Sequence, residues 1–188
     1  MDTQAKLIES TQELLWERGY VGTSPKAILA RAGVGQGSMY HHFAGKSDLC
    51  AVAVRRSGEV LRAEVEPILS ATGGALERIS AYLRRERDVL RGCRIGGLTQ
   101  DPEIVAQADL RAPVEETLVW LESRIAEVLA EGQASGELRA DFAPEQISRT
   151  ICAVLQGAYV LARGEDSRAV FGEAIEGAIG LLQSLARR

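Results

Sequence analysis

Residues 23–46 read TSPKAILARAGVGQGSMYHHFAGK, and the local chemistry of this stretch predicts two short helices joined by a tight turn. The Ser24 hydroxyl is placed to accept a hydrogen bond from an orphan backbone N–H at a helix start. Pro25 then falls at the first helical position, where a missing N–H costs nothing. Ile28 and Ala32 lie four apart on one face, and Gly33 sits where a C′ glycine ends a helix. Val34 is expected to plug the turn. The second helix starts at Gly35 or Gln36, and Phe43 closes it with a large apolar anchor. Two helices across a short glycine-containing turn make a helix-turn-helix, here spanning about 24–43. Its second helix exposes Gln36, Ser38, Tyr40, His41 and His42, whose donors and acceptors suit phosphates and base edges.

Working outward, Thr3 to Arg18 carries Leu7, Ile8, Thr11, Leu14 and Leu15 at helical spacing. It is expected to pack over the helix-turn-helix. A longer helix begins at Lys46 and is expected to stop near Glu66, before Pro67. A further helix is expected from Ala75 to Arg91, with the charge run Arg84–Arg85–Glu86–Arg87 turned outward. The glycine-rich Gly92–Leu98 segment breaks it. Asp101 and Pro102 restart a short helix, and Pro113 to Gly132 reads as a long amphipathic one. Pro144 to Arg163 and Asp166 to Arg187 form a closing hairpin, linked by Gly164–Glu165, with Asp166 as the second helix's cap. Both hairpin helices are apolar around much of their circumference, more than one chain's own core needs. Two such hairpins across a two-fold axis would form a four-helix bundle. The expected fold is all-α with nine or ten helices: an N-terminal three-helix domain over residues 1–61 and a larger helical domain over 62–188.

Composition agrees. The 188 residues are 46% hydrophobic and 5% aromatic, which favours helices packed by aliphatic side chains. No stretch approaches the ~18 consecutive apolar residues of a membrane span, so a cytoplasmic protein with no membrane partner is expected. The net charge is −4, yet residues 1–50 are balanced, and between Arg18 and Lys46 every charge is positive. Cys50, Cys93 and Cys152 have neither a metal-ligand nor a disulfide spacing. His41 and His42, the only histidines, point about 100° apart on a helix and suit no shared metal. No metal or cofactor is expected. No nucleophile motif or strand-borne phosphate loop is present, which argues against an enzyme. A helical interaction adaptor is the competing class.

The run AGVGQGSMYHHFAGKSDL, with LLWERGYVGTSPKAILA before it, resembles the DNA-binding signature of the TetR family of bacterial transcriptional repressors. It departs from the family pattern at Gly35, where a capping Ser is usual, and at Gln36, where Lys is frequent. The resemblance implies a homodimeric repressor on a palindromic double-stranded operator, released by a small-molecule inducer. It implies DNA contacts from Thr23, Ser24, Gln36, Gly37, Ser38, Tyr40, His41 and Lys46, with Tyr40 on a backbone phosphate. It also implies a ligand pocket beside Cys93, Ile95 and Leu98, with Trp120 and Tyr159 expected to contribute. The dimer interface would then be the closing hairpin, through Ile151, Leu155, Gly157, Ile175, Ile179 and Leu182. The GCRIGGL stretch at 92–98 is similar to one in several branches of the family, including an electrophile-sensing branch. Cys93 is therefore either a packing residue or, with Arg91 and Arg94 stabilising a thiolate, a thiol sensor.

Overall fold

A computed structural model of the chain describes residues 2–187, and among these it shows nine α-helices and one short 3-10 helix. The helices are α1 (Thr3–Arg18), α2 (Pro25–Ala32), α3 (Gln36–His42), α4 (Lys46–Leu69), α5 (Ala75–Arg84), α6 (Pro102–Ala106), α7 (Ala108–Ala134), α8 (Pro144–Gly164) and α9 (Arg168–Gln183); the 3-10 turn is Gly96–Gln100. The only β pairing among the described residues is one isolated bridge, Leu138 to Ala186. The chain divides into two compact units, Met1–Leu61 with Arg94–Leu118, and Arg62–Cys93 with Val119–Arg188. Residues 94–118 thus group with the N-terminal unit, whereas the sequence pattern assigned them to the larger domain.

The first unit is built on a cluster of Leu7, Leu14, Ile28, Ala32, Met39, Phe43 and Leu49, with Val34 packed at its edge. Asp101 explains why residues 94–118 join it. Its carboxylate accepts from Glu103 and Ile104 N–H to cap α6, and its other oxygen accepts from Val21 N–H at 2.9 Å. One side chain therefore holds the turn that feeds α2. Gly58 permits a second close approach, since a Cβ there would lie 2.3 Å from the Thr117 hydroxyl.

In the second unit, α8 and α9 pack as an antiparallel hairpin around Ile151, Leu155, Phe171, Ile175, Ile179 and Leu182. Asp166 is not the cap of α9. It takes a positive φ of 48°, and Ser167 stands at the N-cap position. The N-terminus of α5 has only Gly74 as N-cap, and the Glu137 carboxylate supplies the acceptors for Ala75 and Leu76 N–H at 2.6 and 3.0 Å.

Several helix ends differ from the sequence expectation, α9 for one running from Arg168 to Gln183 rather than to Arg187. The α4 helix continues through Pro67 to Leu69, because a proline near a C-terminus forfeits one bond without blocking the final residues. The α7 helix begins at Ala108, with Pro113 inside it. The α5 helix stops at Arg84 rather than Arg91: Arg85 turns extended, and the Arg87 guanidinium folds back onto the Leu83 and Tyr82 carbonyls at 2.6 and 2.8 Å. Of the run expected to face outward, Arg84 does so, while Arg85 and Arg87 are half-buried.

Candidate nucleic-acid interface

The recognition surface is made by two local decisions. Ser24 Oγ accepts from Ala27 N–H at 3.2 Å with Pro25 following, which fixes where α2 starts. Gly33 adopts φ 64°, ψ 36°, and its N–H reaches the Ala30 and Leu29 carbonyls, which fixes where α2 ends. The chain then leaves Gly35 as the N-cap of α3. Met39 and Phe43 are 0% and 5% exposed. Burying two such side chains contributes about 1.5–3 kcal/mol each and pins the helix by its inner face. The opposite face carries Gln36, Gly37, Tyr40 and His41 exposed, with Ser38 and His42 half-exposed. Tyr40, at 62% exposure, is a large aromatic left in solvent with its hydroxyl free to reach a phosphate. The two imidazoles stand 4.9 Å apart at 73°, edge to face.

Between α2 and α3 lies an open cleft of about 610 Å³, lined by Ser24, Pro25, Lys26, Leu29, Ala30, Gln36 and Tyr40. Lys26 is exposed at its rim and was missed by the sequence reading, although it is the second residue of a correctly placed helix.

Two of the expected contacts are committed elsewhere. Thr23 is 1% exposed and donates its hydroxyl to the Gly19 carbonyl at 2.7 Å, so it cannot offer that proton to DNA. Lys46 donates to the Tyr20 carbonyl at 2.8 Å and lies 3.7 Å above the Tyr20 ring, so its ammonium ties the start of α4 to the turn after α1. Local charge is reduced in the same way at Arg31, which makes a two-pronged pair with Glu17 at 2.8 and 2.9 Å that raises its pKa further. Ser24, unlike Thr23, is exposed, and its oxygen caps α2 while its own proton stays available.

The remaining expected residues are dispersed. Cys93, Trp120 and Tyr159 belong to the second unit, whereas Ile95 and Leu98 belong to the first and are 2% and 4% exposed in its core. The five therefore do not line a pocket within one unit. Cys93 is half-buried and its sulfur accepts from the Gln156 amide at 3.5 Å. Arg94 does not serve as its activator: that guanidinium lies 2.9 Å from Glu13 and 4.1 Å over the Trp16 ring. Ile151, Leu155, Ile175, Ile179 and Leu182 are 2–4% exposed, so five of the six expected interface residues pack the hairpin itself. What the hairpin leaves uncovered is another stripe, with Val160 at 56%, Leu161 at 52% and Leu181 at 71% exposure, beside exposed Gly157, Gly177 and Gly180.

A three-helix unit that pins one short helix by its apolar side and presents the polar side is the architecture of a helix-turn-helix DNA-binding regulator. Residues 7–53 match the model of the bacterial regulatory proteins, tetR family, and residues 74–178 match that of the tetracyclin repressor-like, C-terminal domain. The chain belongs to the TetR family of transcriptional regulators. It is 29% identical over 167 residues to the transcriptional regulator AcuR of Cereibacter sphaeroides, covering 85% of this chain and 75% of that one. It is 27% identical over 168 residues to the HTH-type transcriptional repressor DhaR of a Mycobacterium species, covering 86% and 83%. The crystal structure of a regulatory protein TetR from Rhodobacter sphaeroides superposes with a TM-score of 0.80 at 28% identity, over 93% of this chain and 96% of that one. Among the described residues, no helix is long and apolar enough to cross a membrane.

Proposed function

We propose that this TetR-family regulator acts as a homodimer on a near-palindromic operator and is released from it by a small molecule bound in its second unit. The observation that carries the reading is the exposed face of α3: Gln36, Ser38, Tyr40 and His41 stand clear of the core that Met39 and Phe43 anchor. In a symmetric dimer two such helices enter successive major grooves about one helical turn apart. Ser24 and Lys26, at the cleft beside them, supply the phosphate contacts. The pairing surface is the stripe of Ala153, Gly157, Val160 and Leu161 on α8 with Gly177, Gly180 and Leu181 on α9. Apart from the adjoining backbone of its own helix, no heavy atom comes within 4 Å of a Cβ added at any of those three glycines, so a partner helix has room to approach. By linkage, operator and inducer weaken each other's binding equally.

Fluorescence anisotropy on a labelled duplex from the region upstream of the protein's own coding sequence tests this. Gln36→Ala is expected to change base preference at one position and Tyr40→Phe to weaken all sequences alike. A uniform loss across duplexes in Gln36→Ala removes Gln36 from base reading. Absence of any sequence preference in the wild-type protein at moderate salt favours an adaptor instead.

A further inference from the structure

We propose that the second unit binds a small organic anion, a carboxylate carried on an apolar body, with the Arg87 guanidinium as its charge partner. The inference rests on the reading that this unit receives a small molecule, and it names that molecule's chemical class.

Arg87 is an unusual arginine. It folds back under the end of α5 and spends two N–H groups on the Leu83 and Tyr82 carbonyls, both neutral acceptors. Its Nε is buried and has no hydrogen-bond partner. The titratable groups around it are Tyr159, Arg85, Tyr82 and Cys93, none of them a carboxylate, and it makes no ion pair among the described residues. Burial is the largest influence and pulls its pKa down from the ordinary arginine value. A guanidinium nonetheless stays charged in proteins, so this is a half-buried cation without a counter-ion among the described residues. Arg85 deepens the imbalance. One of its terminal nitrogens pairs with the half-exposed Glu64 at 3.0 Å, while its Nε is likewise buried and unpartnered.

The surroundings fit the rest of such a ligand. The Arg87 guanidinium lies 5.7 Å from the Tyr82 ring centroid and 5.5 Å from that of Phe171, and Phe171 meets Tyr159 at 4.9 Å. These aromatic faces suit an apolar body next to the charge. The Gln156 amide is engaged only with the Cys93 sulfur, a weak acceptor that a carboxylate oxygen outcompetes. A carboxylate can take two parallel N–H bonds from the guanidinium fork, including the orphaned Nε. A neutral ligand leaves the buried charge uncompensated, and a cationic one adds repulsion.

The test titrates the full chain by isothermal calorimetry with sodium benzoate and sodium butyrate. Benzamide and sodium phosphate are matched controls at constant ionic strength. Saturable binding of at least one carboxylate is expected, with benzamide and phosphate at least tenfold weaker. Arg87→Met and Arg87→Lys are each expected to weaken it at least tenfold, the second keeping the charge but not the fork. Arg84→Met, which removes an exposed arginine paired with Glu176, is expected to leave it unchanged. Circular dichroism confirms which Arg87 variant is folded, and Arg87→Lys decides if Arg87→Met is not. No saturable binding of either carboxylate, equal binding of benzamide or phosphate, or undiminished binding in the folded Arg87 variants overturns the proposal. The same preparation is titrated with the labelled duplex. Sequence-selective DNA binding without carboxylate binding overturns this inference and leaves the regulator reading standing; carboxylate binding without DNA selectivity does the reverse.

Discussion

Replacing Asp101 with alanine removes one side chain and two kinds of support. The first is the cap of α6, where Oδ1 accepts from Glu103 and Ile104 N–H at 3.1 and 3.4 Å. Loss of an N-cap costs about 1 kcal/mol. The second is the bond from Val21 N–H at 2.9 Å, in a partly buried turn. Leaving that donor without a partner costs about 1 kcal/mol more, the low end for a buried orphan because water can reach part of the site. The sum is about 2 kcal/mol, which for a chain of this size lowers Tm by about 4–8 °C. The loss should also be local. Native-state hydrogen exchange at Val21 and Thr23 should accelerate more than exchange in α8 and α9, because the released turn sets the entry to α2. Operator affinity should fall with it, although Asp101 is 9% exposed and is not among the residues assigned to DNA contact. A melting temperature within 1 °C of wild type, or exchange that rises equally in α8 and α9, would refute the reasoning.

Three further outcomes are expected. Lys26→Ala should reduce the slope of log affinity against log salt by about 1, whereas Lys46→Ala should act mainly on stability, since its ammonium is already bonded to Tyr20; equal salt slopes in the two variants would contradict the assignment. Leu181→Glu should yield folded monomers in sedimentation because Leu181 is 71% exposed, while Leu182→Ala, at 3% exposure, should cost the fold about 2–5 kcal/mol; an intact dimer in Leu181→Glu places the pairing surface elsewhere. Burial pushes the Cys50 and Cys152 thiols up to about 12. With the folded pKa raised, stability is intact below the ordinary thiol range and declines as pH climbs from there toward 12, since only the unfolded chain's thiols ionise. Ellman's reagent at pH 8 should accordingly react first with Cys93 in native protein and with all three cysteines only in denaturant; rapid native reaction at Cys50 would disprove its burial.

The boundaries of the helix-turn-helix were legible in the sequence because they are set by neighbours in the chain. Ser24, Pro25 and Gly33 act on backbone groups within a few residues, through a cap, a fixed φ and a left-handed turn, and no distant contact is needed. The exposed face of α3 followed from the same periodicity, and the family from the resemblance of the run AGVGQGSMYHHFAGKSDL to its DNA-binding signature. What tertiary structure alone decided is where long side chains spend their donors. Thr23 and Lys46 looked free beside the motif, yet each closes onto a carbonyl of the turn after α1. Asp101 holds Val21 across 80 positions, and Glu137 caps α5 across 62. Arg87 ends α5 early by folding back onto its carbonyls, against a pattern that continued the helix and turned its charge to solvent. On the hairpin, sequence hydrophobicity could not separate Leu181 from Leu182. An α-helix turns adjacent side chains about 100° apart, so the first stands in solvent and the second in the core, and only the packing of α8 on α9 selects which.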